Sequence, residues 1–312
     1  MKVRGALIRY LLAAVLLGFT VAFLLRHPGI FDSIREISLP ALLALLALSM
    51  LILVVLGLQF RFTVSIFRLN LPAREWIGLT AINTMFNYYL PARGGLLVRG
   101  AYLKRKFNFP FSQYASLVAS SQLLVLANAA ALGMVTLGLS SLHVRDEGFL
   151  RLLLIFLVIF AGSVLGYRLI PIAGNTEFAS GPGWFKQLLR NFADGFLCWK
   201  RQARAKLYFS LITLALMFLW SLRLFGCFLA LSAPVGFNKI MLIQALLSAS
   251  LVVSITPGNL GVKEGITAII SNLVSVDPSI AILASLLDRA LAVLITFGMG
   301  LVFSHILLRE VS

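Results

Sequence analysis

The sequence predicts an all-α fold, a polytopic membrane helical bundle, and three features predict it. Hydrophobic residues fill 60% of the 312 positions. Charged residues fill only 12%, about half of the ~25% usual in soluble domains. Apolar runs long enough to cross a bilayer recur from Leu7 to Leu308. A soluble chain of this length would need far more polar surface to cover its core, so lipid absorbs the hydrophobicity. Residues 1–312 therefore read as a single integral membrane domain, with no stretch set aside for a soluble catalytic unit.

Six runs read as full spans, at about 7–25, 41–60, 112–142, 149–170, 207–233 and 278–308. Each is close to or above the ~20 residues a helix needs to cross the hydrocarbon core. Backbone facing lipid must bond within its own segment, which such runs do as helices rather than as barrel strands. The first run follows Lys2, Arg4 and Arg9 and lacks a small-x-small cleavage pattern, so it reads as a retained anchor.

Two segments do not read as simple spans. One covers about 75–106 and carries Pro91-Ala92-Arg93-Gly94-Gly95 near its middle; the other covers about 239–277 and carries Thr256-Pro257-Gly258-Asn259-Leu260-Gly261. Proline removes a backbone donor and glycine frees the chain, so both should break there into broken-helix hairpins. Such breaks persist at membrane depth only where protein or a wet cavity covers the freed backbone. Pro91 and Gly95 repeat the spacing of Pro257 and Gly261, and Pro110 and Pro278 each open the long run that follows. Three full spans separate the hairpins, so as re-entrant segments they enter from opposite faces. That is the inverted repeat by which many transporters place a site at the bilayer midplane.

Charge bias agrees with this topology. With both segments re-entrant, one side holds the basic residues of the N-terminus, of 61–74, 99–106 and 186–206, and Arg168 and Arg309. The other side holds only Arg26, Arg35, Arg145, Arg151 and Lys239. The basic side is cytoplasmic and contains both termini. The net charge of +16 is then a lipid-facing feature, and no nucleic-acid role is read from it. Residues 184–206 alternate Trp184, Phe185, Leu188, Leu189, Phe192, Phe196 and Trp199 with basic residues at helical spacing, the pattern of an interfacial helix on the cytoplasmic leaflet.

Ionisable groups at membrane depth are costly, and are paired or functional. Here they are Arg93, Arg223, Lys263, Glu264, Asp288 and Arg289, with Arg99 near the cytoplasmic edge. Arg93 and Lys263 flank the two breaks, where unpaired N–H groups and a cation together suit a phosphate or carboxylate. The candidate substrate-binding residues are Asn87, Arg93, Gly94, Gly95, Arg99, Pro257, Gly258, Asn259, Gly261 and Lys263. Glu264, Asp288 and Arg289 are candidates for charge coupling. A simpler reading also holds: Lys263-Glu264 and Asp288-Arg289 pair with one another only to neutralise buried charge. Arg223 either snorkels or pairs with Asp288. Asn83, Asn87, Gln122 and Asn128 have the bland reading of hydrogen-bond glue between helices. Cys198, Cys227 and the three histidines show no disulfide framework and no metal-ligand spacing, and no phosphate loop or hydrolase motif occurs, so no cofactor is expected.

Asn87-Tyr-Tyr-Leu-Pro-Ala-Arg-Gly-Gly95 with Arg99, and Thr256-Pro-Gly-Asn-Leu-Gly-Val-Lys-Glu264 with Asp288-Arg289, resemble the flippase-like family, also called the lysylphosphatidylglycerol synthase transmembrane region. The resemblance covers nearly the whole chain. It implies a multi-pass protein of a prokaryotic cytoplasmic membrane whose relatives move polar lipids between leaflets, here standing alone without an aminoacyltransferase domain. Members often carry an acidic-basic pair on the span after the first hairpin, where this chain has Ser121-Gln122. The expected function is a non-enzymatic flippase or translocase for a polar lipid, whether anionic, aminoacylated or glycosylated. The alternatives are a membrane partner of a separately encoded lipid-modifying enzyme and, further off, an intramembrane enzyme that uses Glu264 and Asp288 as acid and base.

Overall fold

The computed structural model describes residues 37–90, 93–140, 147–174, 184–250, 257–259 and 261–309. The span expected at 7–25, Pro91 and Ala92 of the first break, and Thr256 and Leu260 of the second, lie outside them. Among the described residues the chain is helical throughout. Its elements are α1 (Leu39–Ser65), α2 (Ala73–Tyr89), α3 (Gly94–Phe107), α4 (Phe111–Ser140), α5 (Glu147–Gly174), α6 (Trp184–Arg201), α7 (Ala203–Ala230), α8 (Phe237–Ser250), a single 3-10 turn (Pro257–Asn259), α9 (Val262–Leu273) and α10 (Pro278–Leu308).

Five helices are long and apolar enough to cross a membrane: α1, α4, α5, α7 and α10. They match five of the six spans expected from the sequence. Their outward faces carry Leu43, Leu51, Leu154, Val158, Leu165, Leu211, Leu294 and Leu301, all exposed. So continuous an apolar surface does not occur on a soluble monomer. The protein is a multi-pass membrane protein. Local chemistry sets the helix starts: Pro278 is the first residue of α10, and Asp277 Oδ1 accepts the Ser279 N–H at 2.7 Å.

Each broken segment folds as two short helices whose outer ends meet. Helix α2 has 17 residues and α3 has 14, short of the ~20 a full crossing requires. Lys106 Nζ, at the end of α3, lies 2.6 Å from Glu75 Oε1, at the start of α2. The chain therefore leaves and returns at one place. In the second segment Lys239 Nζ, near the start of α8, donates to the Ser275 carbonyl just beyond α9 at 3.3 Å. Helices α8 and α9 have 14 and 12 residues.

Packing between the two halves is reciprocal. Helix α2 lies against α10 and α8 lies against α4, so the first arm of each hairpin packs on the long helix that follows the other hairpin. The helices that precede the hairpins, α1 and α7, pack on each other. Two repeats related by a two-fold axis would generate this pattern.

Helix α6 is the basic, amphipathic element expected from the sequence, and its buried side meets protein. Phe196 packs at a tilt on Tyr167 of α5, ring centroids 5.2 Å apart, and Trp199 meets Phe209 of α7 edge-on at 5.5 Å. Both aromatics are fully buried, so bundle rather than lipid covers this part of its apolar face.

Candidate functional site

Helix α2 ends when Leu90 turns extended, and α3 starts from Arg93, whose φ of 55° and ψ of 46° place it in the left-handed region. That conformation costs a non-glycine residue about 1–2 kcal/mol, and such strain collects where position matters. Gly95 then crosses so close to α2 that a Cβ would collide with the Asn83 carbonyl. Asn87 Oδ1 accepts the Gly95 N–H at 3.0 Å, satisfying one of the N–H groups freed by the break.

The second break is held by a cation. Arg289, on α10, donates from Nη1 to the Gly258 carbonyl at 2.9 Å and from Nη2 to the Asn259 carbonyl at 3.2 Å. The same Nη2 lies 2.8 Å from Glu264 Oε1. Glu264 Oε2 accepts the Gly261 N–H at 2.9 Å, so the carboxylate caps α9 and anchors the guanidinium at once. Each hairpin thus closes its own break with a side-chain acceptor on the N-terminus of its return arm: Asn87 for α3 and Glu264 for α9.

Beside this staple lies a carboxylate shared by two cations. Asp288 Oδ1 accepts from Arg223 Nε at 2.6 Å, and Asp288 Oδ2 accepts from Lys263 Nζ at 2.6 Å. Arg223 Nη2 adds a bond to Oδ2 at 3.2 Å, and its Nη1 reaches Ser49 Oγ at 3.3 Å. Asp288 is 4% exposed and Arg223 6%, so both charges are out of bulk water. The pairing agrees with the simpler sequence reading, in which Lys263-Glu264 and Asp288-Arg289 pair with one another: Lys263 bonds Asp288 and Glu264 pairs with Arg289. Arg223 pairs with Asp288, one of its two expected fates.

The hairpin tips meet at Tyr88 and Gly258. Gly258 has φ of 60°, and a Cβ there would stand 2.5 Å from the Tyr88 ring, so glycine is needed for conformation and for space. Two cavities flank this contact. The larger, about 310 Å³, is lined by Gln59, Phe60, Thr80, Asn83, Asn87, Arg93, Arg99, Ser121, Gln122 and Thr213, among others. The smaller, about 210 Å³, is lined by Ser49, Arg223, Gln244, Lys263, Asp288 and Arg289, among others. Leu56, Thr84, Tyr88, Trp220, Gly258 and Asn259 face both, and form the wall between them.

The cavities are stacked along the bundle. On α1 the larger uses positions from Leu56 to Thr63 and the smaller from Ser49 to Leu56. On α7 the larger uses Phe209 to Trp220 and the smaller Trp220 and Arg223. At 1.5 Å per residue, Ser49 to Thr63 covers about 21 Å of helix axis, some two thirds of a ~30 Å hydrocarbon core.

A comparison with protein families bears on this arrangement. The family model described as the lysylphosphatidylglycerol synthase TM region matches residues 6–300. The chain belongs to that family. Membership makes this lysylphosphatidylglycerol synthase TM-region protein a membrane protein related to lipid modification or translocation. No curated protein matches the chain.

Within this family member the sequence-nominated residues divide into five groups. Arg93, Arg99 and Asn87 come together in the larger cavity, and Lys263, Asp288 and Arg289 in the smaller. Gly258 and Asn259 sit in the wall between them. Gly94 and Gly95 serve helix packing: a Cβ on Gly94 would strike the Leu90 side chain. Gly261 and Glu264 form the start of α9, and Pro257 opens the 3-10 turn. Of the asparagines read as glue, Asn128 is glue, donating from Nδ2 to Ser210 Oγ at 3.1 Å. Asn83 and Gln122 face the cavity instead. Sequence reasoning missed Gln59, Thr213, Trp220 and Gln244. Their signal is a polar or indole group inside an otherwise apolar span. Gln59 Nε2 and Thr213 Oγ1 also bond across α1 and α7 at 2.8 Å.

Proposed function

We propose that this protein moves a polar lipid between leaflets, passing the headgroup from one stacked cavity to the other while the acyl chains stay in the bilayer. The stacking of two cavities, each lined in part by buried charged side chains, across one shared wall is the observation that carries this reading. A headgroup entering the larger cavity would meet Arg93 and Arg99. Arg99 is oriented by a 2.8 Å bond to Tyr114 Oη and lies 4.0 Å over the Phe60 ring, so its guanidinium is held without a carboxylate. Two arginines lining a cavity that no acidic residue lines among the described residues favour an anionic group. In the smaller cavity Lys263, whose side chain is 22% exposed, is the most accessible partner of Asp288 and the cation best placed to exchange that bond for a headgroup phosphate.

The hairpins enter the bilayer from opposite faces in this proposal, with the mouth of α2 and α3 and both termini on the cytoplasmic side of a prokaryotic cell membrane. The protein moves lipid and does not modify it. Both membrane-depth carboxylates already hold cations, Asp288 two and Glu264 one, which leaves neither poised as a general base.

Reconstitution into vesicles with fluorescent anionic lipid tests the reading. Wild-type protein is expected to speed leaflet exchange, and Arg93→Ala and Arg99→Ala are each expected to slow it by about tenfold, the loss of one charge-assisted contact. Exchange at the wild-type rate in both variants would overturn it.

A further inference from the structure

The guanidinium of Arg99 is fixed on two axes. Phe60, on α1, lies beneath it with the ring centroid 4.0 Å from Cζ, and this stacking sets the plane of the group. Tyr114, on α4, accepts from Nε at 2.8 Å, and this bond sets the rotation within that plane. Both rings are themselves held, Phe60 at 5% exposure and Tyr114 at 2%. Helix α3 passes so close to Tyr114 that a Cβ on Gly100 would stand 2.8 Å from its ring and 2.8 Å from that of Phe111. Three helices therefore agree on where one side chain points.

What stays free is specific. A guanidinium offers bidentate edges through Nε with one terminal nitrogen, or through Nη1 with Nη2. Tyr114 occupies Nε and closes the first edge. Nη1 and Nη2 have no hydrogen-bond partner among the described residues, and neither is sealed off from the cavity that Arg99 lines. Along the axis of α3, residues 99 and 106 are about 10 Å apart at 1.5 Å per residue. A headgroup arriving from the mouth at Lys106 thus reaches Arg99 before it reaches Arg93, at the tip.

Building on the translocase reading, we infer that Arg99 is the specificity-determining residue of the larger cavity, that it binds the paired oxygens of a lipid phosphodiester through Nη1 and Nη2, and that Tyr114 is its positioning residue. A phosphodiester has two equivalent unesterified oxygens, which match the two terminal nitrogens. A lysine carries the same charge as a point, without a matching edge. Tyr114 acts through Arg99 rather than on the lipid: its hydroxyl holds the free edge toward the cavity.

Titration of the purified protein with phosphatidylglycerol, read by native mass spectrometry, tests this. Arg99→Lys is expected to weaken retention about fivefold although the charge is kept, the loss of one hydrogen bond. Tyr114→Phe is expected to weaken it by a similar factor although the ring is kept. In an Arg99→Ala background Tyr114→Phe is expected to change nothing further, because the two residues act as a unit. An equal loss from Tyr114→Phe in both backgrounds would make Tyr114 merely structural and overturn the inference. Wild-type retention in either single variant would overturn it too, and that result does not require the Arg99→Ala protein to fold. Free sn-glycerol 3-phosphate is expected not to displace the lipid at equal concentration; displacement would assign the edge to a soluble phosphate and defeat the inference. The two levels fail separately. Retention that depends on Arg99 and Tyr114, in a protein that moves no lipid, defeats only the translocase reading. Leaflet exchange that slows in Arg99→Ala but is indifferent to Arg99→Lys and Tyr114→Phe defeats only this inference.

Discussion

At the scale of single residues the strongest constraint is Asp288. Its carboxylate is the counter-charge for both Arg223 and Lys263, each at 2.6 Å. Removing one partner of a buried pair leaves an uncompensated charge and costs about 3–5 kcal/mol. Asp288→Asn is therefore expected to destabilise the protein by that order and to lower its thermal midpoint in detergent sharply. Lys263→Met leaves Asp288 paired with Arg223, so its midpoint is expected to fall far less. Equal shifts would show that the cluster is solvated and contributes little. The charged members of this site were legible in the sequence, because an ionised group inside an apolar run stands out. Their partners were legible in part, because adjacent residues on a helix point about 100° apart and do not face each other, so Lys263-Glu264 and Asp288-Arg289 can pair only with one another. The packing of α9 on α10 brings the two together, and it settles that Arg223 pairs with Asp288 rather than snorkelling. Asn83 was read as glue for a different reason: a neutral amide looks the same in sequence whether it bonds a helix or lines a cavity.

At the scale of elements the two breaks were legible from proline and glycine, since no packing is needed to see a lost donor or a tolerated positive φ. What closes each hairpin was not legible, because Lys106 with Glu75 and Lys239 with Ser275 are distant in sequence. Gly95 lies where α3 touches α2, and a Cβ would meet the Asn83 backbone. Gly95→Ala is expected to force the arms apart at a cost of about 1–3 kcal/mol, the range for overpacking, and to abolish lipid exchange. Gly162→Ala on α5, where a Cβ meets nothing within 4 Å, is expected to leave midpoint and exchange unchanged. The direction of entry has its own test in a Cys198→Ala/Cys227→Ala background. Cysteines at Ala73 and Lys104 are expected to react with a membrane-impermeant reagent from one face, and a cysteine at Asn238 from the other. Labelling of positions 73 and 104 from opposite faces would show that α2 and α3 together cross the membrane. Helix α6 carries the same lesson in milder form. Its spacing foretold an amphipathic helix, but periodicity cannot say whether lipid or protein covers the apolar face, and Phe196 and Trp199 meet protein.

At the scale of the whole molecule the reciprocal packing of α2 on α10 and α8 on α4 has a mechanical consequence. The first arm of each hairpin packs on the long helix of the other half, while α9 packs on α10 of its own half, so the second hairpin ties both halves to the wall between the cavities. That wall is thin. Among the described residues both cavities share Leu56, Thr84, Tyr88, Trp220, Gly258 and Asn259, and Trp220 is the largest of them. If the wall keeps the cavities from opening to each other at rest, taking away its bulkiest side chain should join them. Trp220→Ala removes an indole from between two spaces of about 310 and 210 Å³, which are then expected to merge into one path along the bundle. Lipid exchange in vesicles is expected to rise above wild type, and the difference between anionic and zwitterionic lipids to shrink, because a continuous groove passes headgroups without seating them against Arg93 and Arg99. Stability should fall by about 3–5 kcal/mol at most, the range for truncating a buried tryptophan, and by less here because Trp220 already borders empty space. Slower exchange in Trp220→Ala, with folding intact, would mean that the indole guides the headgroup rather than blocks it, and would remove the wall from the mechanism.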